Sequence, residues 1–488
     1  MKKSLFKNAI YKSLLTFVNI GVPLLIGPYV IKLLDKDLYG MYHNVFAQFQ
    51  IFMIFATLGV YTHGVREVSK VRDDKEKVSE LFSSLFVISI TASAVVGVCY
   101  IAFAMYTYDS IPLSIASVLL VQIVGNAFYM EFVNEALEDY GFITIKSLII
   151  KVLYMVSILT FVKKTDDVVI YTLIVSLTVF FDYFISFIRI NKHVKLDFKK
   201  VKFAKHIGPL LTIFIINNVG IFYGQLDKVM LGFYIDGVAV TMYYIPYYIV
   251  GTMASIPYSV TNVSIPRLAY YLENEERSVY ENAFETSSSA LFFLIIPMCL
   301  GIAVLAPEVI YLYAGEQYMA ATSILVVACI VRLGISVESV LINLVLYPTG
   351  SERSLVKFTF GCGILNLIMN FTLIYLGIFS PFWVLLTTGI AESLLAFICY
   401  VYARRKLKLN ISIFTKRNVL YLLLSLTFIP ISYIISIQNF SMLLDIGLTI
   451  MVCFAVYVGT LFLLKDKNLF LILGKFSSFA RRISSSHT

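Results

Sequence analysis

Almost the whole chain alternates apolar runs of about twenty residues with short polar breaks, and that is the length of helix needed to cross a bilayer's hydrocarbon. Fourteen runs are predicted as helices, near residues 10–34, 39–64, 81–106, 111–136, 145–162, 166–190, 207–235, 238–264, 283–306, 318–348, 357–378, 380–403, 418–436 and 441–464. Soluble composition never persists for more than about twenty-five residues between them, which leaves no room for a water-soluble catalytic or ligand-binding domain beside the membrane part. Met1 to Lys12 is basic and leads straight into the first run, so that run is expected to be a retained helix and not a cleaved signal. The pattern predicts an all-α integral membrane protein.

Composition agrees, with 59% hydrophobic residues, 14% charged and a mean hydropathy of +0.84. Soluble chains are about a quarter charged. A net charge of +9 invites a nucleic-acid reading, but the positions of the charges decide otherwise. One side of the alternating loops holds Lys2 to Lys12, Arg66 to Lys77, Lys146, Lys151, Arg189 to Lys205, Arg267, Arg277, Arg353, Lys357, Arg404 to Arg417 and Lys465 to Arg482. That is 33 of the 39 basic residues. The other side has Lys32, Lys36, Lys163 and Lys164, while Lys228 and Arg332 lie within helices. By the positive-inside rule the rich side is cytoplasmic, and an even helix count returns both termini there. The basic surplus records topology, and no nucleic-acid partner is expected. All six cysteines fall in apolar runs without metal spacing and read as small core residues.

A shift of 201 residues pairs Asp35 with Asp236, Met41 and Tyr42 with Met242 and Tyr243, and Arg66 with Arg267, each at the same end of equivalent helices. A shift of 210 or 211 pairs Asp182 with Glu392 and Lys146 with Lys357. These offsets span six helices, which predicts two parallel-repeat bundles. The expected organisation is an N-terminal six-helix bundle over 1–190, a basic cytoplasmic linker over 191–206, a second six-helix bundle over 207–403, and two extra helices with a basic cytoplasmic tail over 404–488. The linker's six lysines either lie on anionic lipid or serve only as a topology determinant.

Charges near the bilayer centre are costly and usually face a cavity or a partner. In the seventh run, Asn217, Asn218, Gln225 and Lys228 project within one arc with Asp227 just beside it, and in the tenth, Arg332, Ser336, Ser339 and Asn343 share a face with Glu338 to one side. Asn44 and Gln48 form a polar face on the second, beside His43. Arg332 either lines a hydrated cavity or forms a buried ion pair with Asp227 or Glu338; Lys228 either does the same or snorkels outward. Pro23, Pro28, Pro209, Pro246, Pro257 and Pro297 are expected to kink or interrupt helices. Glu131, Glu135, Glu138 and Asp139 cluster at the cytoplasmic end of the fourth run and either hold a cation or a partner or, as expected here, form a solvated acidic helix end. No Walker, HExxH, GxSxG or paired intramembrane aspartate pattern is present, so neither an enzyme nor a cofactor is expected.

Two segments carry a resemblance over this frame. GPYVIKLLDKDLYGMYHNVFAQFQIF from Gly27, continuing to LGVYTHGVREVS, is similar to the opening of the polysaccharide-biosynthesis flippases, the O-antigen, capsule and teichoic-acid unit translocases of the multidrug/oligosaccharidyl-lipid/polysaccharide exporter superfamily. QLDKVMLGFYIDGVAVTMYYIPYYI from Gln225 resembles their seventh and eighth helices. The resemblance implies a flippase moving an undecaprenyl-(pyro)phosphate-linked oligosaccharide to the outer leaflet of the bacterial cytoplasmic membrane by alternating access. Its partners would be the lipid-linked oligosaccharide, membrane lipids, and glycosyltransferases or a polymerase. On this reading Arg332, Lys228, Asn217, Gln225, Asn44, Gln48, Ser336 and Asn343 bind substrate, and Asp227 and Glu338 couple an ion. The alternatives are a cation-coupled multidrug antiporter and a lipid II flippase. The first helix here lacks both the carboxylate usual in the antiporters and the Arg-Asp pair of the lipid II flippases.

Overall fold

The computed structural model describes residues 5–471 apart from 219, 221–223 and 439, and no strand occurs among the described residues. By internal contacts the chain divides into two compact units, 1–241 with 313–317, and 242–312 with 318–488.

The first unit contains α1 (Leu5–Leu33), α2 (Lys36–Thr57), α3 (Val60–Val71), α4 (Lys75–Thr107), α5 (Ser110–Asn126), α6 (Glu131–Ala136), α7 (Tyr140–Phe161), α8 (Val168–His193), α9 (Phe203–Asn218) and α10 (Gly224–Tyr234). Asp35 starts α2 by accepting the N–H groups of Asp37 and Leu38 at 3.0 and 3.1 Å, and Asp74 does the same for α4. A core of Phe82, Leu85, Met130, Phe132 and Val133 is closed to solvent, while Val98, Met105 and Phe181 stand on the outside, as lipid-facing residues should. The basic linker is laced to the start of α4. Ser83 and Ser84 accept the N–H groups of Asp197 and Lys202, and Lys202 pairs with Glu80 at 2.9 Å.

The second unit runs from within α11 (Gly237–Asn274) through α12 (Arg277–Val304), α13 (Ala306–Ala314), α14 (Thr322–Leu341), α15 (Glu352–Tyr375), α16 (Pro381–Arg405), α17 (Lys416–Leu426), α18 (Phe428–Ser436) and α19 (Met442–Leu463). Asp236 caps α11 through the N–H of Ala239 at 2.7 Å, the task Asp35 performs 201 residues earlier. Helix α14 packs tightly on α16, because Gly389 leaves space that Val331 fills. The last helices dock on α12 through a buried network in which Tyr421 donates to Asp466 at 2.9 Å and Asn468 donates to Ser289 at 3.1 Å.

Among the described residues, twelve helical stretches are long and apolar enough to cross a membrane, two short of the fourteen expected. The other two expected runs are helical as well. The described residues of 207–218 and 224–234 lie in α9 and α10, of 16 and 11 residues, and 238–264 lies in the 38-residue α11, whose seven tyrosines lower its hydropathy. The chain is a multi-pass membrane protein.

The helix interruptions differ from expectation. Pro23, Pro28, Pro209, Pro246, Pro257 and Pro297 all lie inside continuous helices. Among the described residues, breaks within expected runs include Leu58–Gly59, both left-handed at φ 44° and 71°, and 127–130, where no proline stands. The two lie side by side: Asn126 Nδ2 donates to the Ala56 carbonyl at 3.0 Å and to Ser93 Oγ at 3.1 Å, satisfying backbone that the break exposes.

Candidate functional site

In the second unit, Arg332 sits at the middle of α14 and is buried. Its guanidinium lies 5.1 Å from the centroid of the Tyr247 ring, a cation–π contact, and within electrostatic reach of the Tyr258 hydroxyl. Tyr258 in turn meets Ser336 Oγ at 3.1 Å, and Ser336 donates back to the Arg332 carbonyl at 2.7 Å, so two tyrosines of α11 and one turn of α14 fix the cation. Arg332 makes no ion pair with Glu338, and its Nε has no hydrogen-bond partner among the described residues. Glu338 lies beside Glu392 of α16, a residue absent from the predicted stripe, and both acids are within electrostatic reach of Arg332. Farther along, Asn343 Nδ2 donates to Ser339 Oγ at 3.0 Å, where α14 gives way to a π-helical turn over Ile342–Leu346. The predicted stripe is therefore one polar face.

In the first unit, α2 and α10 pack together and bring most of the other selected residues into one place. Gln48 donates to Asn44 Oδ1 at 3.0 Å, and that oxygen lies over Gly232 of α10. Lys228 is within electrostatic reach of buried His43 and of its neighbour Asp227, which is fully buried. Gln225 is half-buried, and its Oε1 has no partner among the described residues. The side chain of Asn217 lies outside the described residues, and Asn218 donates to the Phe214 carbonyl at 2.8 Å.

A further charged cluster joins the acids of the fourth run to Lys146 and Asp182. Glu131 and Glu135, read as a solvated helix end, instead line a cavity of about 400 Å³ inside the first unit. Lys146, with its side chain 3% exposed, reaches Glu131 at 2.9 Å, Asp182 at 3.2 Å and Ser186 at 2.8 Å. Tyr61 donates to Glu135. Only Glu138 and Asp139 reach outward, to Arg72 at 2.8 Å and Arg189 at 3.4 Å. The available signal was Lys146 itself, a lysine six residues inside an apolar helix that needed a counter-charge.

Comparison with known proteins places this geometry. The model of the polysaccharide biosynthesis protein family matches residues 5–272. A putative O-antigen transporter of Shigella dysenteriae is 20% identical over 380 residues, covering 76% of this chain and 93% of that protein. Among solved structures, the lipid II flippase MurJ in an inward closed conformation aligns with a TM-score of 0.67 at 15% identity, over 94% of this chain and all of that one. An inward-facing multidrug resistance MATE family transporter of the MOP superfamily aligns at 0.56 and 14% identity, over 81% of this chain and 94% of its own. The fold is that shared by these transporters, and the chain belongs to the polysaccharide biosynthesis protein family.

Proposed function

We propose that this protein is a flippase of the bacterial cytoplasmic membrane that moves an undecaprenyl-(pyro)phosphate-linked oligosaccharide from the inner to the outer leaflet for cell-surface polysaccharide assembly. A pyrophosphate and a string of hydroxyls cannot cross hydrocarbon unaided, so the protein must supply a polar path. The observation that carries this reading is Arg332: a buried guanidinium beside two tyrosines, with no carboxylate at ion-pair distance and with Nε unspent among the described residues, and with Glu338 and Glu392 only within longer electrostatic reach. A permanently ionised planar fork in such a setting suits a diphosphate. Lys228 with Gln225, Asn44 and Gln48 supplies a second polar face, Ser336 and Asn343 extend the first, and Asn217 is assigned by its position in α9. Asp227 and Glu338, the latter with Glu392, are the acids assigned to ion coupling. Alternating access follows from rocking of repeat-related bundles, with both termini cytoplasmic and with glycosyltransferases or a polymerase handling the glycan on either side.

The test compares two replacements of Arg332. Arg332→Gln keeps donors and removes charge, whereas Arg332→Lys keeps charge and removes the fork. If Arg332 binds the diphosphate, the Gln variant loses export with the protein still abundant in the membrane, and the Lys variant keeps part of it. Surface polysaccharide and membrane abundance are measured together. Full export by the Gln variant overturns the reading.

A further inference from the structure

The cavity inside the first unit plays no part in the function proposed above, yet it is built like a site. On one side, Tyr61 and Tyr129 stack at 5.4 Å and 4°, and Tyr129 meets Tyr183 at 4.3 Å with the rings tilted by 34°. On the other, Glu131 and Asp182 flank Lys146, and the Oε1 atom of Glu131 is buried without a hydrogen-bond partner among the described residues. At about 400 Å³ it lies in the range of small-molecule sites, about 300–1,000 Å³. Exposed Asn19 of α1 stands at its edge.

The lining selects among ligand classes. An acyl chain is refused by three carboxylates and two lysines, because burying charges against hydrocarbon without partners is costly. An anion meets the surplus of carboxylates. A metal or ammonium ion would have to displace the Lys146 ammonium from the two acids it already holds within 3.2 Å. What remains is a neutral ligand that donates several hydrogen bonds and has an apolar face. A sugar ring is such a ligand: its hydroxyls make charge-assisted bonds to carboxylate oxygens, and its C–H face lies on tyrosine.

We propose that this cavity binds one pyranose ring, separately from the polar faces assigned to the lipid diphosphate. The inference rests on the flippase reading only for the source of the sugar, the glycan of the lipid-linked substrate.

The experiment uses the full chain in phospholipid nanodiscs prepared free of glycoside detergents. Saturation-transfer NMR is recorded with the methyl pyranosides of glucose, galactose, mannose and N-acetylglucosamine. At least one should receive saturation at its ring protons. Asn19→Trp, which fills the edge without touching the ion pairs, should reduce the transfer at least five-fold with the thermal transition unchanged. Tyr129→Ala should do likewise, and Arg332→Gln should leave the transfer intact. Absence of transfer from all four sugars, or transfer indifferent to Asn19→Trp, overturns the proposal. Export by Arg332→Gln is scored in parallel, so that full export together with intact sugar transfer would defeat the flippase assignment of Arg332 and spare the cavity.

Discussion

Lys146 and Arg332 are both buried cations within apolar helices, and they differ in what balances them. Lys146 has two carboxylates and a hydroxyl within 3.2 Å, so deleting its charge strands two acids. Removing one partner of a buried pair costs about 3–5 kcal/mol. Lys146→Met is therefore expected to lower thermal stability in nanodiscs by an amount of that order, and adding Glu131→Gln should recover part of the loss. A Lys146→Met protein as stable as wild type would contradict the pairing. Arg332 has no carboxylate at ion-pair distance among the described residues, Glu338 and Glu392 lying only within longer electrostatic reach, so its neutralisation is expected to cost less folding stability than that of Lys146 while removing function. The Arg332 stripe was legible in the sequence because Ser336 and Asn343 follow it at local helical spacing. Tyr247 and Tyr258, which hold the guanidinium, were not, because they arrive from α11, more than seventy residues earlier. Glu131 was misread for the same reason: its neutralising lysine comes from another helix.

Elements were legible wherever an apolar run is continuous, since a bilayer demands about twenty such residues whatever surrounds them. Interruptions were not. Proline signals a break in water-soluble sequence reading, yet six intramembrane prolines leave their helices continuous. The real break in the second run needs only Gly59 in the left-handed region, Leu58 beside it, and an asparagine from α5 to take the freed carbonyl. At Gly59 a β-carbon would meet φ 71° strain and stand 2.9 Å from Ile213 Cγ2. Gly59→Ala is thus expected to cost about 1 kcal/mol or more. Asn126→Leu, which leaves the Ala56 carbonyl unpaired, should cost about 1–3 kcal/mol. Hydrogen exchange over 56–62 provides the check: both variants should exchange faster there and leave α19 unchanged, whereas uniform acceleration across the chain would mean that the break is not the seat of the effect.

At the scale of the whole molecule, the charges of the loops carry the argument, because the helices alone are blind to which face of the membrane is which. Arg72, Lys199 and Arg405 belong to basic-rich segments and are exposed; Lys164 and Glu316 are exposed on the opposite set of loops. Translocating a short basic loop across an energised membrane is disfavoured, so the first three positions are expected in the cytoplasm and the last two outside. The six native cysteines are all unpaired, and only Cys99 is exposed, so a Cys99→Ala background is quiet enough for single-cysteine labelling. In intact cells an impermeant maleimide should modify Lys164→Cys and Glu316→Cys, and should reach Arg72→Cys, Lys199→Cys and Arg405→Cys only after the membrane is opened. Labelling of Arg72→Cys from outside would invert the assignment. With it would go the direction of transport, since the glycan must then enter from the face that here receives it.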